Sequence, residues 1–301
     1  MISPREALKL IRPKQWVKNA FVLAPLIFAK ELFLPEPVGL ALRAVVAFCL
    51  TASAVYILND MLDVKADQHH PVKRFRPLAA GTISFFQAAV LAVLLLAIVG
   101  LVCIGMDRRF VLVLCAYMVL NLAYSIGLKQ VPLLDVFIIA AGFMLRVLGG
   151  AYAIHVRVSS WIVLCSLFIS LFLGFAKRRA ELILVQDAAM HTERKVLSIY
   201  RVDFLDQILT ISAAGAVISY AMYSVAPRTI EIFGTEKLIY TTVFVIYGIF
   251  RYLYLIHATP ATENPTNTVT SDPGIVATTV LWILSCILLI YFGKIFPGTG
   301  M

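Results

Sequence analysis

Apolar positions along the chain gather into blocks of about 18–23 residues with almost no charge inside them, each long enough to cross a hydrocarbon core of about 30 Å. Nine such blocks occur, at about 17–34, 39–60, 83–105, 109–126, 132–154, 159–177, 207–225, 237–256 and 274–296. None alternates apolar and polar positions as a barrel strand does, and an open sheet leaves backbone groups unpaired in lipid, so all nine are expected to be helices. The pattern predicts an all-α, polytopic membrane protein with residues 1–301 in one integral unit. Pro25 is expected to kink the first block.

Composition agrees: 61% of residues are apolar and 14% charged, with mean hydropathy +0.90, which excludes an ordinary soluble enzyme. The 26 Lys and Arg exceed the 17 Asp and Glu, and the surplus clusters in a few loops. That distribution suits anionic headgroups or phosphorylated substrates, and no nucleic acid is expected. Cys49, Cys103, Cys115, Cys165 and Cys286 all lie inside apolar blocks without metal-ligand spacing and read as small buried hydrophobes. The basic N-terminus lacks a small-residue cleavage site and is expected to be retained.

Basic residues also orient the chain. The N-terminal five, Lys65, Lys73, Arg74, Arg76, Lys129, Lys177, Arg178, Arg179, Arg194, Lys195, Arg201 and Arg251 share one side, which is therefore read as cytoplasmic. The two largest connections, 61–82 and 178–206, lie there and are expected to cap an active site facing the cytoplasm, in a bacterial inner (plasma) membrane.

The segment at the end of the second block concentrates the chemistry. Asp60, Asp63 and Asp67 fall at i, i+3 and i+7, on one face of a continuing helix. Three like charges on one stripe repel, and hard oxygens without Cys or His favour Mg²⁺, with Asn59 in support. Carboxylates at a helix C-terminus also oppose the macrodipole, which argues against mere polar punctuation. His69 and His70 point to different helix faces and read as loop residues. Pro71 and Pro77 bracket a turn that presents Lys73, Arg74 and Arg76, cations suited to phosphate oxygens.

This NDxxDxxxD pattern at the end of the second of nine helices resembles the UbiA superfamily of intramembrane prenyltransferases, whose fold is a nine-helix bundle around a lipid-open cavity. Within it, residues 12–19 (RPKQWVKN), the HPxKRxRP stretch at 70–77 and residues 174–182 (GFAKRRAEL) look like the branch of decaprenyl-phosphate phosphoribosyltransferases. The resemblance implies transfer of 5-phosphoribose from phosphoribosyl pyrophosphate to a polyprenyl phosphate with Mg²⁺, on the way to a cell-wall arabinan precursor. Prenyl-diphosphate users of the superfamily carry a second acidic motif after the sixth span. Here that position reads Lys177, Arg178, Arg179, Ala180, Glu181, so fixed cations are expected to replace a second metal.

Other substrate contacts are expected from Tyr124 and Lys129, which resemble the superfamily's Tyr…Lys loop, and from the intramembrane charges Asp135 and Arg146. Asp135 is expected to orient Lys129 or a substrate hydroxyl, whereas Arg146 is as well suited to structural hydrogen bonding. Lys14, Gln15, Lys18 and Asn19 sit where the first helix enters the membrane, with Lys14 and Lys18 sharing a face to grip a lipid phosphate. Phe85, Phe86, Tyr117, Tyr152 and Phe168 either line an isoprenoid groove or face lipid and other helices. The expected partners are phosphoribosyl pyrophosphate, a polyprenyl phosphate and the membrane, with homo-oligomers such as a trimer left open. Two other readings make contrary demands. A prenyltransferase with an aromatic acceptor requires the missing second acidic motif, and an anion transporter requires helices broken at midspan, for which only Gly149-Gly150 offers a place.

Overall fold

A computed structural model describes residues 3–69, 72–187, 197, 199–258 and 271–292, all in helices, turns or loops, with no strand among them. The principal elements are α1 (Pro4–Ile11), a 3₁₀ segment (Pro13–Leu23), α2 (Ala24–Phe28), α3 (Pro35–His69), α4 (Phe85–Val102) and α5 (Arg108–Ile126). They are followed by α6 (Leu134–Ala153), α7 (Ser160–Asp187), α8 (Val202–Val225), α9 (Pro227–Phe233), α10 (Thr242–Ala258) and α11 (Pro273–Phe292). Among the described residues, 8 helical stretches are long and apolar enough to cross a bilayer. The chain is a multi-pass membrane protein.

The first apolar block departs from the expected span. It forms the 3₁₀ segment and then the short α2, with Pro25 in its first turn. A 3₁₀ helix has three residues per turn, so Trp16, Asn19 and Val22 stack on one face. Each makes its own contact: the Trp16 indole donates to Ser53 at 3.0 Å, the Asn19 amide to Cys49 at 3.1 Å, and the Val22 carbonyl packs against Gly150. The same geometry removes the shared face expected for Lys14 and Lys18, which four 3₁₀ steps rotate about 120° apart.

Both of the long connections at 61–82 and 178–206 begin as helix. Residues 61–69 belong to α3 and 178–187 to α7, so the polar motifs ride on extensions of membrane helices. Local signals set other boundaries. Ser84 and Gln87 form a reciprocal capping box that starts α4, and the Asp107 carboxylate accepts from the Arg109 amide at the start of α5. Gly234, in the left-handed region at φ 68°, closes α9.

By Cα proximity the chain forms two compact units, the first comprising 1–26, 31–129 and 142–157, the second 27–30, 130–141 and 158–301. In the first, Phe48 meets Phe110 and Tyr117 edge to face inside a core that includes Ala44, Leu114 and Ala153. In the second, α7 and α8 make the most extensive helix pair, burying Phe172, Phe175, Leu205 and Leu209 together with Tyr252 of α10. Phe85 and Phe86 lie exposed at the start of α4, whereas Tyr117 is buried and Phe168 packs on Gly215. Tyr117 and Phe168 thus pack against other helices of their own units.

The Gly149-Gly150 pair does not break α6, which runs unbroken from Leu134 to Ala153. Its glycines permit contact instead. A Cβ on Gly150 would lie 2.0 Å from the Val22 carbonyl oxygen, and one on Gly149 would lie 2.6 Å from the Phe48 ring. The midspan break that a transporter needs is absent at this position. Gly150→Ala is expected to destabilise the protein by about 1–3 kcal/mol through overpacking against backbone. Its thermal midpoint in detergent should fall by several degrees, while Gly39→Ala, with nothing within 4 Å, should leave it unchanged or slightly raised.

Candidate functional site

In the first unit the three aspartates of α3 are each met by cations from elsewhere in that unit. Arg12 places Nη2 on both oxygens of Asp60, at 2.5 and 2.7 Å. Arg76 Nη1 donates to Asp60 at 3.1 Å and to Asp67 at 2.7 Å, bridging carboxylates two helical turns apart. Lys129, just beyond the end of α5, donates to both oxygens of Asp63 at 2.9 and 3.0 Å. Asp60 and Asp67 are buried, Asp63 half-buried. The repulsion along the stripe is thus relieved by side chains, and repulsion by itself no longer calls for a metal.

The cations differ in their settings. Arg76 is half-buried between Phe75 and Pro77, while Arg74 is exposed and lies 4.9 Å from the Phe75 ring centre. Lys73 is half-buried, as are Asn59 and Tyr124. Lys14 is exposed; Gln15 and Lys18 are half-buried. His70 and Pro71 lie outside the described residues. Arg12, quoted in the motif but given no role from sequence, makes the shortest contact to Asp60. Its signal was masked because any N-terminal cation also fits the charge bias of a cytoplasmic end.

Deeper in the same unit, Arg146 is 5% exposed and, among the described residues, bonded to neutral acceptors. Nε donates to the Asn19 carbonyl at 2.7 Å, Nη1 to the Gly142 carbonyl at 2.9 Å and Nη2 to the Tyr117 hydroxyl at 2.8 Å. The guanidinium also lies over the Tyr117 and Phe143 rings. These bonds tie α5, α6 and the 3₁₀ segment together, which is the structural role weighed for Arg146. Asn19, 1% exposed, is part of this packing and not a headgroup contact.

The second unit holds a separate network. Arg178 is 1% exposed and Asp135 0%; Nε of the arginine meets Asp135 at 2.6 Å, and its Nη1 contacts Glu181. Tyr200 accepts from the Leu133 amide at 2.6 Å and donates to Asp135 at 2.9 Å. Burial pushes the Tyr200 phenol up to about 12, so it stays a donor at any working pH. Arg179 is buried too, with Nε on Asp206 at 2.6 Å and Nη1 on the Ile256 carbonyl at 3.0 Å. Lys177 lies 3.8 Å from Glu181 and is the most exposed of the three.

Two expectations change as a result. Arg178 and Arg179, read from sequence as phosphate cations, are committed to internal carboxylates, and Asp135 orients Arg178 and Tyr200, not Lys129. The reason is physical: burying a guanidinium is costly unless it is paired or fully hydrogen-bonded, and here Arg178 has Asp135 and Glu181 while Arg179 has Asp206. Tyr200 went unnoticed because a tyrosine after a polar stretch carries no distinguishing pattern. Arg194 and Lys195, counted with the same basic side, lie outside the described residues.

The sequence model of the UbiA prenyltransferase family matches residues 20–269. A decaprenyl-phosphate phosphoribosyltransferase of Corynebacterium glutamicum is 40% identical over 72% of this chain and 66% of its own length. One from Mycolicibacterium smegmatis is 36% identical over 72% of this chain and 69% of its own. A UbiA homologue from Archaeoglobus fulgidus, solved bound to DMAPP and Mg²⁺, superposes with a TM-score of 0.72 at 18% identity, covering 95% of this chain and 99% of that one. The last comparison concerns the fold.

The Arg178 network supplies its own test. Asp135→Ala leaves the buried guanidinium with Glu181 alone and the Tyr200 hydroxyl without its acceptor, and is expected to cost about 1–3 kcal/mol, visible as loss of monodisperse protein after detergent extraction. The double variant Asp135→Leu/Arg178→Met should recover most of that loss. Retained activity in the double variant would mark Arg178 as scaffold, and activity lost in a well-folded double variant would restore it as a substrate contact.

Proposed function

Because the chain belongs to the UbiA prenyltransferase family, and relatives 36–40% identical over 72% of it are decaprenyl-phosphate phosphoribosyltransferases, we propose that it transfers 5-phosphoribose from phosphoribosyl pyrophosphate to a polyprenyl phosphate. The observation that carries this reading is the array on α3, where three carboxylates alternate with Arg12, Arg76 and Lys129. A reaction that joins phosphorylated partners and expels diphosphate needs hard-oxygen ligands and fixed cations side by side, and the first unit brings them together.

The donor set fits Mg²⁺. Among the described residues no three Asp, Glu, His or Cys side chains converge on one point, which argues against an all-protein cage. Mg²⁺ instead favours one or two carboxylates plus waters and substrate phosphates, and Asp60 and Asp63, with Asn59 beside them and Asp67 one step along, would supply these. When bound, the ion neutralises the departing diphosphate.

The remaining work belongs to the side chains. Lys129 and Arg76 hold the phosphate groups and fix the anomeric carbon relative to the incoming oxygen, a contribution of positioning and electrostatics. Lys73 and Arg74, with Lys14 and Lys18 at the head of the 3₁₀ segment and Tyr124 near Lys129, offer further contacts to phosphate and hydroxyl oxygens. The lipid phosphate is anionic at neutral pH, so its oxygen attacks the oxocarbenium-like centre from the face opposite the diphosphate without a general base. The bias of basic residues supports an active site on the cytoplasmic side of a bacterial plasma membrane.

A prenyl-diphosphate donor is the alternative within the family. Against it stands the start of the α7 extension, where Lys177, Arg178 and Arg179 occupy the place of a second acidic motif.

The deciding assay follows label from ribose-labelled phosphoribosyl pyrophosphate into an organic-extractable, acid-labile lipid in membranes supplied with polyprenyl phosphate. Transfer should require Mg²⁺, stop with EDTA, and fall at least about 100-fold in Asp63→Ala, the scale of losing a positioned charge stabiliser. Unlabelled lipid together with consumption of a polyprenyl diphosphate and an aromatic acceptor would replace this reading with the prenyltransferase one.

A further inference from the structure

Arg12 has an unusual backbone and an unusual partner. It is a non-glycine residue in the left-handed region, φ 56° and ψ 58°, at the junction between α1 and the 3₁₀ segment. Such a conformation is disfavoured for residues with a Cβ and persists where the surroundings enforce it. Its guanidinium lies 5.2 Å from the Tyr56 ring centre and straddles the Asp60 carboxylate. Asp60 is also held by Arg76.

The charges of this group cancel. Asp60 and Asp67 carry two negative charges, Arg12 and Arg76 two positive ones, and Asp63 is balanced separately by Lys129. A divalent cation entering alone would leave this largely buried group two charges in excess, and it would compete with a guanidinium for the same oxygens. A divalent cation entering with a diphosphate would not, because the anion supplies new partners for the displaced arginine.

We infer that Arg12 is a positioning residue that exchanges partners: it occupies Asp60 in the metal-free protein and passes to a phosphate oxygen when metal and donor arrive together. The inference rests on the metal reading above and adds to it a coupling. Metal and diphosphate each bind weakly alone and tightly together, since each relieves the charge imbalance the other creates.

The test measures manganese retained by the detergent-purified protein in ultrafiltration, with and without inorganic diphosphate. Arg12→Asn removes the charge and keeps a side chain that tolerates the left-handed backbone. It should bind Mn²⁺ alone about tenfold more tightly than the wild type, the factor expected when a competitor occupying nine-tenths of the carboxylate population is removed. The gain in affinity that diphosphate gives the wild type should shrink in this variant. Arg12→Lys should fall between, and thermal midpoints verify that both variants fold. If Arg12→Asn binds Mn²⁺ no more tightly than the wild type while Asp63→Ala loses it, the exchange is wrong and the metal site stands. If no variant retains Mn²⁺ under either condition, the metal reading fails and the exchange falls with it.

Discussion

A charged side chain within a membrane protein must find its neutralising partner inside the protein, because the hydrocarbon around it supplies none. Most features of this chain follow from how that demand is met. Asp135 and Arg178 meet it as a buried pair, extended by Tyr200 and Glu181. Arg146 meets it with three neutral oxygens and two aromatic faces. The aspartates of α3 meet it with Arg12, Arg76 and Lys129. The first two arrangements are largely buried among helices. The third stands partly open to solvent at Arg76, Asp63 and Lys129, which is what a site needs if its partners are to be exchanged for a substrate's.

Periodicity and hydropathy made the all-helical membrane class legible, because a span needs little more than length and the absence of charge. Eight of the blocks became long helices, two of which, α3 and α7, run on well past the expected block ends to His69 and Asp187. The first block misled because hydropathy does not register pitch. Its 3₁₀ form depends on contacts with Ser53, Cys49 and Gly150, which lie far away in sequence.

The site was legible in part for a similar reason. The i, i+3, i+7 spacing of Asp60, Asp63 and Asp67 lies within one helix, so their common face could be read directly. Their partners could not, since Arg12 lies 48 residues and Lys129 66 residues away. Arg76 and Arg178 show the limit most sharply. Both are arginines beside other cations in a long polar connection, and nothing local separates them. Burial does: Arg178 sits opposite Asp135, 43 residues away, and is sealed, whereas Arg76 faces two aspartates at a partly exposed helix end.

The 3₁₀ segment links packing to chemistry. Its rise of about 2 Å per residue, longer than the roughly 1.5 Å of an α-helix, stretches Pro13–Leu23 over more of the neighbouring helices. Its threefold repeat brings Trp16, Asn19 and Val22 into register with Ser53, with Cys49 and Arg146, and with Gly150. Three successive turns are thereby pinned. The residue just before the first of these turns is Arg12, whose carbonyl accepts from the Gln15 amide at 2.9 Å and whose guanidinium reaches Asp60. A segment pinned along its length holds its leading residue at a set height against α3, so the guanidinium need not be positioned by its own flexible side chain. This gives the glycine pair of α6 and the buried Arg146 a bearing on the aspartate array without contact to it: they hold the frame from which Arg12 projects.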